Sequence, residues 1–358
     1  MAGASTTARR IVVADDSRLM RRMLSDALAR QGFEVVGTAA DGDEALEQCR
    51  THRPDALTLD LHMPGLDGLG VLRALRDGKA DPVPVVVVSA FSPAHGAYAV
   101  DALAEGAFEL VAKPAFGEPL DTFAAELGRK VSAAAHAGAR VHRPALRGPV
   151  QRRPAPVAAT PRPSALTARR TTSGKLLVIA SSTGGPRALG ELLPQLPSAL
   201  GAGGLIVQHM PPGFTTSLAQ RLDNASGVAV REARSGDVLD PGTLLLAPGG
   251  SHLRLSDDRR LRLSDDAPEG GLKPRADFTI QDAARTFGRR LVLVVLTGMG
   301  KDGLDGAHAV KRMGGRVLVE AESTCTVYGM PRAVAEAGLA DEILPLDELP
   351  AAIVREMA

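Results

Sequence analysis

The sequence of 358 residues lacks tryptophan and has only two tyrosines and two cysteines. The two cysteines, Cys49 and Cys325, fall in different predicted domains and have no metal-ligand spacing. We therefore expect neither a disulfide nor a cysteine-bound metal. Because proteins poor in disulfides are typical of reducing compartments, this content favours a cytoplasmic location.

Long apolar runs and an excess of one charge are also missing. The longest runs, VPVVVV (83–88) and LVLVVL (291–296), are far shorter than the ~20 residues that span a bilayer. The segment MAGASTTARR (1–10) has no apolar stretch, so we expect no secretory signal and no membrane insertion. The formal net charge of +1 gives no general attraction to nucleic acid or to membrane surfaces.

What the sequence does contain is two segments in which short apolar runs alternate with helical patterns, residues 10–128 and 175–358. This alternation predicts two doubly wound, mainly parallel α/β domains. The predicted strands of the first are RIVVA (10–14), EVVGTA (34–39), ALTLDL (56–61), VPVVVVSA (83–90) and FELVA (108–112). Those of the second are KLLVIA (175–180), GLIVQHM (204–210), GTLLLAP (242–248), HLRL (252–255), LRLS (261–264), LVLVVLTG (291–298) and GRVLVE (315–320). HLRL and LRLS are expected to form a solvent-facing hairpin.

The run DTFAAELGRKVSAAA (121–135) is predicted to form the last helix of the first segment. We place a linker at residues 129–174, which from about Ala137 onward are rich in proline, alanine, arginine and threonine and show no hydrophobic periodicity. This composition predicts a flexible linker. The arginines raise the alternative of a nucleic-acid-binding arm, but no aromatic residues are interleaved for base stacking. No helix-turn-helix pattern follows the first domain either, so we expect no nucleic-acid partner.

An acidic cluster is predicted at the carboxyl ends of the first and third strands. Asp15 and Asp16 end the first strand and Asp60 ends the third, and these strands can be neighbours in a parallel sheet. Closely packed carboxylates repel each other unless a cation neutralises them, and oxygen ligands suit Mg²⁺. Ser89 and Lys113 end the next two predicted strands at the same edge.

These five positions in this order resemble a response-regulator receiver domain over residues 10–128. The resemblance implies a flavodoxin-like fold in which Asp60 accepts a phosphoryl group from a histidine kinase. It further implies that Ser89 and Lys113 contact the phosphoryl oxygens. The Mg²⁺ ligands it implies are Asp15, Asp16, Asp60 and the backbone carbonyl of His62.

One position departs from the receiver pattern. The family usually carries tyrosine or phenylalanine three residues before the lysine, where this sequence has Leu110. A rotating aromatic switch is therefore absent at that position, although Phe108 is near.

In the second segment, a serine, a histidine and an aspartate each follow an apolar strand. They are Ser182 in KLLVIASSTGGP, His209 in GLIVQHMPPGF and Asp302 in LVLVVLTGMGKDG. Taken singly, the Gly-rich turn after Ser182 suits a phosphate site, the histidine a structural role and the aspartate a helix cap. Taken together at the carboxyl ends of strands, they indicate a nucleophile, a base and an orienting carboxylate for acyl transfer.

STGG, QHMPPGF and LTGMGKDG resemble the signature segments of the chemotaxis protein-glutamate methylesterases, which also carry a receiver domain. The resemblance implies hydrolysis of glutamate methyl esters on chemoreceptor helices with release of methanol, and deamidation of receptor glutamines. It implies Ser182 as nucleophile, His209 as base, Asp302 as orienting carboxylate, and the backbone N–H of Met299 as an oxyanion donor. It implies no cofactor at the esterase site, and partners limited to methylated chemoreceptors and the histidine kinase. We expect a monomer.

Other residues compete for two of these roles. Ser181 precedes Ser182, but alternate strand side chains point to opposite faces, so only one of the two serines can face His209. His252 and His308 are weaker candidates for the base. The chain order serine, histidine, aspartate and the absence of a GxSxG elbow disfavour the α/β-hydrolase superfamily.

The two-domain order suggests that the unphosphorylated receiver packs over Ser182 and that phosphorylation of Asp60 weakens this contact. The alternative is a non-catalytic regulator that binds receptors or the kinase in a phosphorylation-dependent way. Release of methanol from a methylated receptor distinguishes the two.

Overall fold

The computed structural model describes residues 8–78, 82–90, 93–114, 120–141 and 174–358. Two parallel β-sheets organise these residues, one of five strands and one of seven. Helices cover both faces of each sheet, and buried apolar side chains fill the layers between sheet and helices. The prediction of two doubly wound α/β units is therefore confirmed.

The N-terminal unit alternates strands with helices. Its elements are β1 (Arg10–Ala14), α1 (Arg18–Arg30), β2 (Glu34–Ala39), α2 (Gly42–His52), β3 (Ala56–Leu59), α3 (Gly68–Arg76), β4 (Val85–Ser89), α4 (Pro93–Ala104), β5 (Glu109–Ala112) and α5 (Leu120–Val141). The sheet has the order β2-β1-β3-β4-β5 with parallel pairing throughout, which is the flavodoxin-like arrangement. Because helices cover both faces, β1, β3 and β4 are mostly apolar and almost entirely buried.

The C-terminal unit repeats this alternation around a larger sheet. Its elements are β6 (Leu176–Ser181), α6 (Gly185–Leu192), β7 (Gly204–Gln208), α7 (Phe214–Ala225), β8 (Ala229–Glu232), β9 (Thr243–Leu246), β10 (His252–Leu255), β11 (Leu261–Ser264), α8 (Ala276–Phe287), β12 (Leu291–Val295), α9 (Leu304–Arg312), β13 (Arg316–Glu320), α10 (Met330–Glu336), β14 (Glu342–Leu344) and α11 (Leu349–Met357). The parallel sheet has the order β14-β13-β12-β6-β7-β9-β8. Strand β6 is central and pairs with β12 on one side and β7 on the other.

Two strands and the hairpin differ from expectation. The edge strands β8 and β14 were not predicted, because AVRE and EIL are short and only one of their residues is buried. β10 and β11 form the predicted antiparallel hairpin. The hairpin is not solvent-facing on both sides, because Leu253, Leu255 and Leu261 are buried and β10 packs against α8.

The last helix of the N-terminal unit extends beyond residue 128, where the linker was predicted to begin, and ends at Val141. Its sequence is rich in alanine and has no proline, so a helix is favoured there. The remainder of the predicted linker, residues 142–173, lies outside the described residues. None of the helices in the described part of the chain is long and apolar enough to cross a membrane.

The two units pack against each other through α4, which lies on α6 and α7. The backbones approach closely there: a Cβ atom at Gly96 would lie 3.1 Å from the carbonyl oxygen of Gly213. Arg221 of α7 forms an ion pair with Asp101 of α4 at the edge of this contact. A residue of β5 also takes part in the contact between the units, because Glu109 bonds to Thr183, which follows β6.

Candidate active site and phosphoacceptor cluster

The ends of β6, β7 and β12 bring the three predicted catalytic residues to one edge of the C-terminal sheet. Ser182 directly follows β6, and its N–H donates to the carbonyl of Thr297 after β12 at 3.0 Å. His209 directly follows β7, and its N–H donates to the carbonyl of Ser181 at 3.0 Å. Both backbones are therefore fixed by the parallel pairing of their strands.

His209 and Asp302 are joined by a short hydrogen bond, with 2.7 Å between Nε2 and Oδ2. Asp302 is only 3% exposed and also accepts backbone N–H groups from Ala276 (2.6 Å), Asp277 (3.0 Å) and Gly303 (3.0 Å). Burial acts to raise the pKa of Asp302, but the hydrogen bond and charge of His209, with the N–H donors, lower it to about 2. Asp302 is therefore an ionised carboxylate at neutral pH.

The second ring nitrogen of His209, Nδ1, is not used by Asp302. His209 Nδ1 is buried and has no hydrogen-bond partner among the described residues. The Ser182 side chain does not bond to it in this state, and such contacts are often long before substrate binds. With Nε2 committed to Asp302, Nδ1 is the nitrogen that can take a proton.

Gly-rich turns bring backbone close to Ser182. A Cβ atom at Gly298 would lie 2.7 Å from Ser182 Cβ and 2.5 Å from Met330 Sδ, so only glycine fits there. The adjacent N–H of Met299 has no acceptor in the described part of the chain. On the other side of Ser182, Gly184 has φ of +79° and precedes α6, whose first turn contains a proline.

A buried amide behind the site was missed by sequence reasoning. Gln208, the last residue of β7, is 1% exposed, and its Nε2 donates to the carbonyls of Ser182 (2.9 Å) and His209 (3.0 Å). Ser181 Oγ donates to Gln208 Oε1 at 2.7 Å. The Ser181 hydroxyl is therefore hydrogen-bonded inside the core and does not face the site. A polar residue at the end of an otherwise apolar strand was the available signal.

The two competing histidines lie elsewhere. His252 is fully buried, accepts the Arg275 N–H at Nδ1 and packs edge-on against Phe278. His308 is an exposed residue of α9. Of the three histidines, His209 alone follows the strand next to that of Ser182 and bonds to Asp302.

The acidic residues of the N-terminal unit also converge. Asp15, Asp16 and Asp60 offer oxygen atoms that all lie within 4.8 Å of one another. Lys113 Nζ lies 2.8 Å from Asp15 Oδ2 and 2.9 Å from Asp60 Oδ2. Burial raises the pKa of Asp15 despite the opposing effect of Lys113. Burial and the neighbouring Asp60 carboxylate disfavour the charged form of Asp15, and oxygen-rich clusters of this kind suit Mg²⁺.

The other residues predicted to take part in the receiver site differ in their exposure. Ser89 is fully buried at the end of β4, and its Oγ has no hydrogen-bond partner among the described residues. His62 is exposed, and its ring lies 5.2 Å from that of Tyr98. Leu110 is 1% exposed and Phe108 is 9% exposed, so both are core residues here. Clustered carboxylates, a lysine and an unpartnered hydroxyl fit an anionic phosphoryl group with a cation.

One side-chain hydrogen bond links the two units next to the candidate nucleophile. Thr183 Oγ1 donates to Glu109 Oε2 of β5 at 2.6 Å, and both residues are buried. Lys130 of α5 lies 3.9 Å from the other carboxylate oxygen of Glu109. Glu109 lies on the same strand that leads to Lys113 of the acidic cluster.

The fold and the two sites together define a class of protein. In this class, a receiver-like unit is joined to an α/β unit that carries a serine, a histidine and an aspartate at one edge of its sheet. Residues 11–122 match the response regulator receiver domain family, and residues 177–353 match the CheB methylesterase family. The chain belongs to the CheB methylesterase family, with an N-terminal receiver domain.

Relatives match along nearly the whole chain. A protein-glutamate methylesterase/protein-glutamine glutaminase of Symbiobacterium thermophilum is 43% identical over 97% of this chain and 96% of its own. One of the Myxococcus xanthus proteins of that name is 43% identical over 97% and 98%. The crystal structure of the Thermotoga maritima CheB methylesterase catalytic domain is 44% identical. It has a TM-score of 0.50 and covers 51% of this chain and 99% of that one.

Proposed function

We propose that the protein hydrolyses glutamate methyl esters on chemoreceptors by a serine mechanism and that phosphorylation of its receiver domain activates it. The observation that carries the proposal is the 2.7 Å bond from His209 to Asp302, beside Ser182, with His209 Nδ1 unpartnered. The names of the relatives supply the substrate class. The buried carboxylate supplies the negative charge that stabilises a protonated imidazole.

In the first half of the reaction, Ser182 Oγ attacks the ester carbonyl while His209 Nδ1 takes its proton. The N–H of Met299 and the amino-terminal end of α6 stabilise the oxyanion in this proposal. His209 returns the proton to the departing methoxide, methanol leaves, and a glutamyl ester of Ser182 remains.

In the second half, His209 deprotonates a water that attacks this acyl-enzyme, and the proton passes to Ser182 as glutamate is released. Asp302 stays ionised throughout and holds the imidazole through Nε2. A glutamine side chain can follow the same steps with ammonia in place of methanol, which accounts for the glutaminase activity that the relatives' names carry.

In the receiver domain, Asp60 is the proposed phosphoacceptor, with a histidine kinase as donor. Ser89 and Lys113 contact the phosphoryl oxygens, because the buried hydroxyl lacks a partner and the ammonium already lies 2.9 Å from Asp60. Mg²⁺ held by the carboxylates of Asp15, Asp16 and Asp60 and by the His62 carbonyl supplies charge neutralisation when bound.

Asp60→Asn is expected to abolish stimulation of methanol release by acetyl phosphate in the presence of Mg²⁺, because the amide cannot be phosphorylated. Asp55→Asn is the matched control, since Asp55 pairs with Arg9 away from the cluster. Methanol release is measured on full-length protein with methylated receptor. Equal stimulation of wild type and Asp60→Asn contradicts the switch, whereas loss in both variants points to misfolding.

Regulation passes through the contact between the units. The Glu109–Thr183 bond holds β5 of the receiver against the residue that follows Ser182, so receptor helices meet an obstructed site. Phosphorylation at Asp60 changes the surroundings of Lys113, four residues along the chain from Glu109, and shifts the population toward separated units.

Glu109→Ala is expected to raise basal methanol release about tenfold without a phosphodonor, since a hydrogen bond to a charged group contributes roughly 1.5–3 kcal/mol. Further stimulation by acetyl phosphate then becomes smaller. Glu105→Ala removes a carboxylate that pairs with Arg73 and Arg76 instead, and is expected to leave basal activity unchanged. Basal release from Glu109→Ala equal to that of wild type contradicts the role of this contact.

A further inference from the structure

A second buried aspartate lies directly behind the His209–Asp302 pair. Asp277, in the first turn of α8, is 2% exposed. Its Oδ1 accepts the N–H groups of Gly303 (2.9 Å) and Gly306 (2.8 Å) at the start of α9. The proposed ester hydrolysis does not use this carboxylate.

Asp277 and Asp302 each accept hydrogen bonds at the start of the helix next to the other: Asp302 at the start of α8, and Asp277 at the start of α9. Asp302, which precedes α9, accepts the N–H groups of Ala276 and Asp277 at the start of α8. Asp277, within α8, accepts N–H groups at the start of α9. Each carboxylate satisfies backbone donors at the start of the opposite helix, so movement of either one breaks hydrogen bonds that join the two helix ends. The orientation of Asp302 toward His209 is thereby fixed from behind.

Arg275 balances the charge of this pair. Its guanidinium lies 3.1 Å from Asp277 Oδ2 and 3.0 Å from Glu269. Arg275 Nε is buried without a hydrogen-bond partner, 3.7 Å from Asp302 Oδ1. The charged groups that face Asp277 are therefore Arg275 and Asp302, with His209 and Glu269 behind them.

We propose that Asp277 and Arg275 form a positioning pair for the catalytic carboxylate, and that protonation of Asp277 switches the site off in mildly acidic solution. This inference rests on the proposed esterase function. A proton on Asp277 Oδ2 competes with the Arg275 guanidinium for that oxygen and releases it. Arg275 Nε then approaches Asp302 Oδ1, neutralising part of the charge that supports His209 as a base.

The pH range in which Asp277 takes up a proton follows from its environment. Burial, together with the adjacent charge of Asp302, raises the pKa of Asp277 to about 6. Asp277 is thus ionised at neutral pH and takes up a proton as the solution becomes mildly acidic. A reaction that needs a general base shows one protonation on the acid side of its pH profile, and protonation of Asp277 adds a second.

The test is the pH profile of kcat/KM for methanol release by full-length wild type, Asp277→Asn and Asp282→Asn. On the acid side, a plot of log(kcat/KM) against pH is expected to have a slope that approaches about 2 for wild type. The slope expected for Asp277→Asn is about 1. Asp277→Asn is also expected to lower kcat at neutral pH roughly 10- to 100-fold with little change in KM, because Asp302 is less well placed.

Asp282→Asn is the matched control. Asp282 is another buried aspartate of α8, but it binds Arg254, Arg285 and the N–H of Leu255, away from Asp302. Its replacement is expected to affect stability and leave the slope as in wild type. A merely structural role for Asp277 predicts the same slope in all three proteins, and that result overturns the inference.

Arg275→Met gives a second reading if Asp277→Asn does not fold. The guanidinium that protonation of Asp277 releases is the group that acts on Asp302, so its removal is expected to lower the slope of the acid limb from about 2 to about 1, as in Asp277→Asn. A slope that stays near 2 in Arg275→Met contradicts the inference. Failure of the inference differs from failure of the proposed function, because in the latter case wild type itself releases no methanol at any pH.

Discussion

Ser182→Ala is expected to lower kcat for methanol release by roughly 10⁴- to 10⁶-fold, the range seen when a member of a serine triad is removed. The alanine variant retains the backbone bonds that hold this turn, because the Ser182 N–H and carbonyl take part in them and the hydroxyl does not. Binding of methylated receptor is therefore expected to persist.

Ser181→Ala is the matched control for this experiment. Ser181 is the neighbouring serine, but its hydroxyl is fully buried and bonded to Gln208. We expect its loss to cost about 1 kcal/mol of stability, with only a small effect on turnover. Ser182→Ala activity within tenfold of wild type, or a larger loss in Ser181→Ala, contradicts the assignment of the nucleophile.

Asp302→Asn is expected to lower kcat about 10⁴-fold, for a reason that its hydrogen bonds make specific. Oδ1 accepts two backbone N–H groups and Oδ2 accepts Ala276 N–H and His209 Nε2. An asparagine must place its oxygen toward one set and its NH₂ toward the other. With the NH₂ toward His209, Nε2 becomes an acceptor and the proton moves to Nδ1, which can then no longer take the proton of Ser182.

The effect of Asp302→Asn is measured as kcat across the pH range, with Asp305→Asn as control. Asp305 is an exposed aspartate in the first turn of α9 and makes no contact with His209. We expect Asp305→Asn to resemble wild type. Near-normal turnover by Asp302→Asn at neutral pH contradicts the role of the carboxylate.

Much of the fold could be predicted because buried parallel strands consist mainly of consecutive apolar residues. RIVVA, EVVGTA, HLRL and LRLS matched their strands residue for residue, and most others differed only at their ends. Strands β8 and β14 were missed because edge strands carry few buried residues. Their pairing depends on neighbours that the local pattern does not contain.

The site was predictable to the extent that its residues follow strands directly. Ser182 and His209 lie at the ends of adjacent strands, so their proximity follows from the sheet. The contacts that hold these two residues in place could not be predicted in this way. Gln208, the Glu109–Thr183 bond and the exchange between Asp277 and Asp302 join segments far apart in sequence, and their geometry depends on how helices and units pack.

The most direct test of the account is methanol release from methylated receptor by full-length wild type and Ser182→Ala, each with and without acetyl phosphate and Mg²⁺. Wild type is expected to release methanol, with stimulation by the phosphodonor, and Ser182→Ala to release none above background in either condition. No release by wild type under any condition contradicts it and leaves a phosphorylation-dependent binding protein.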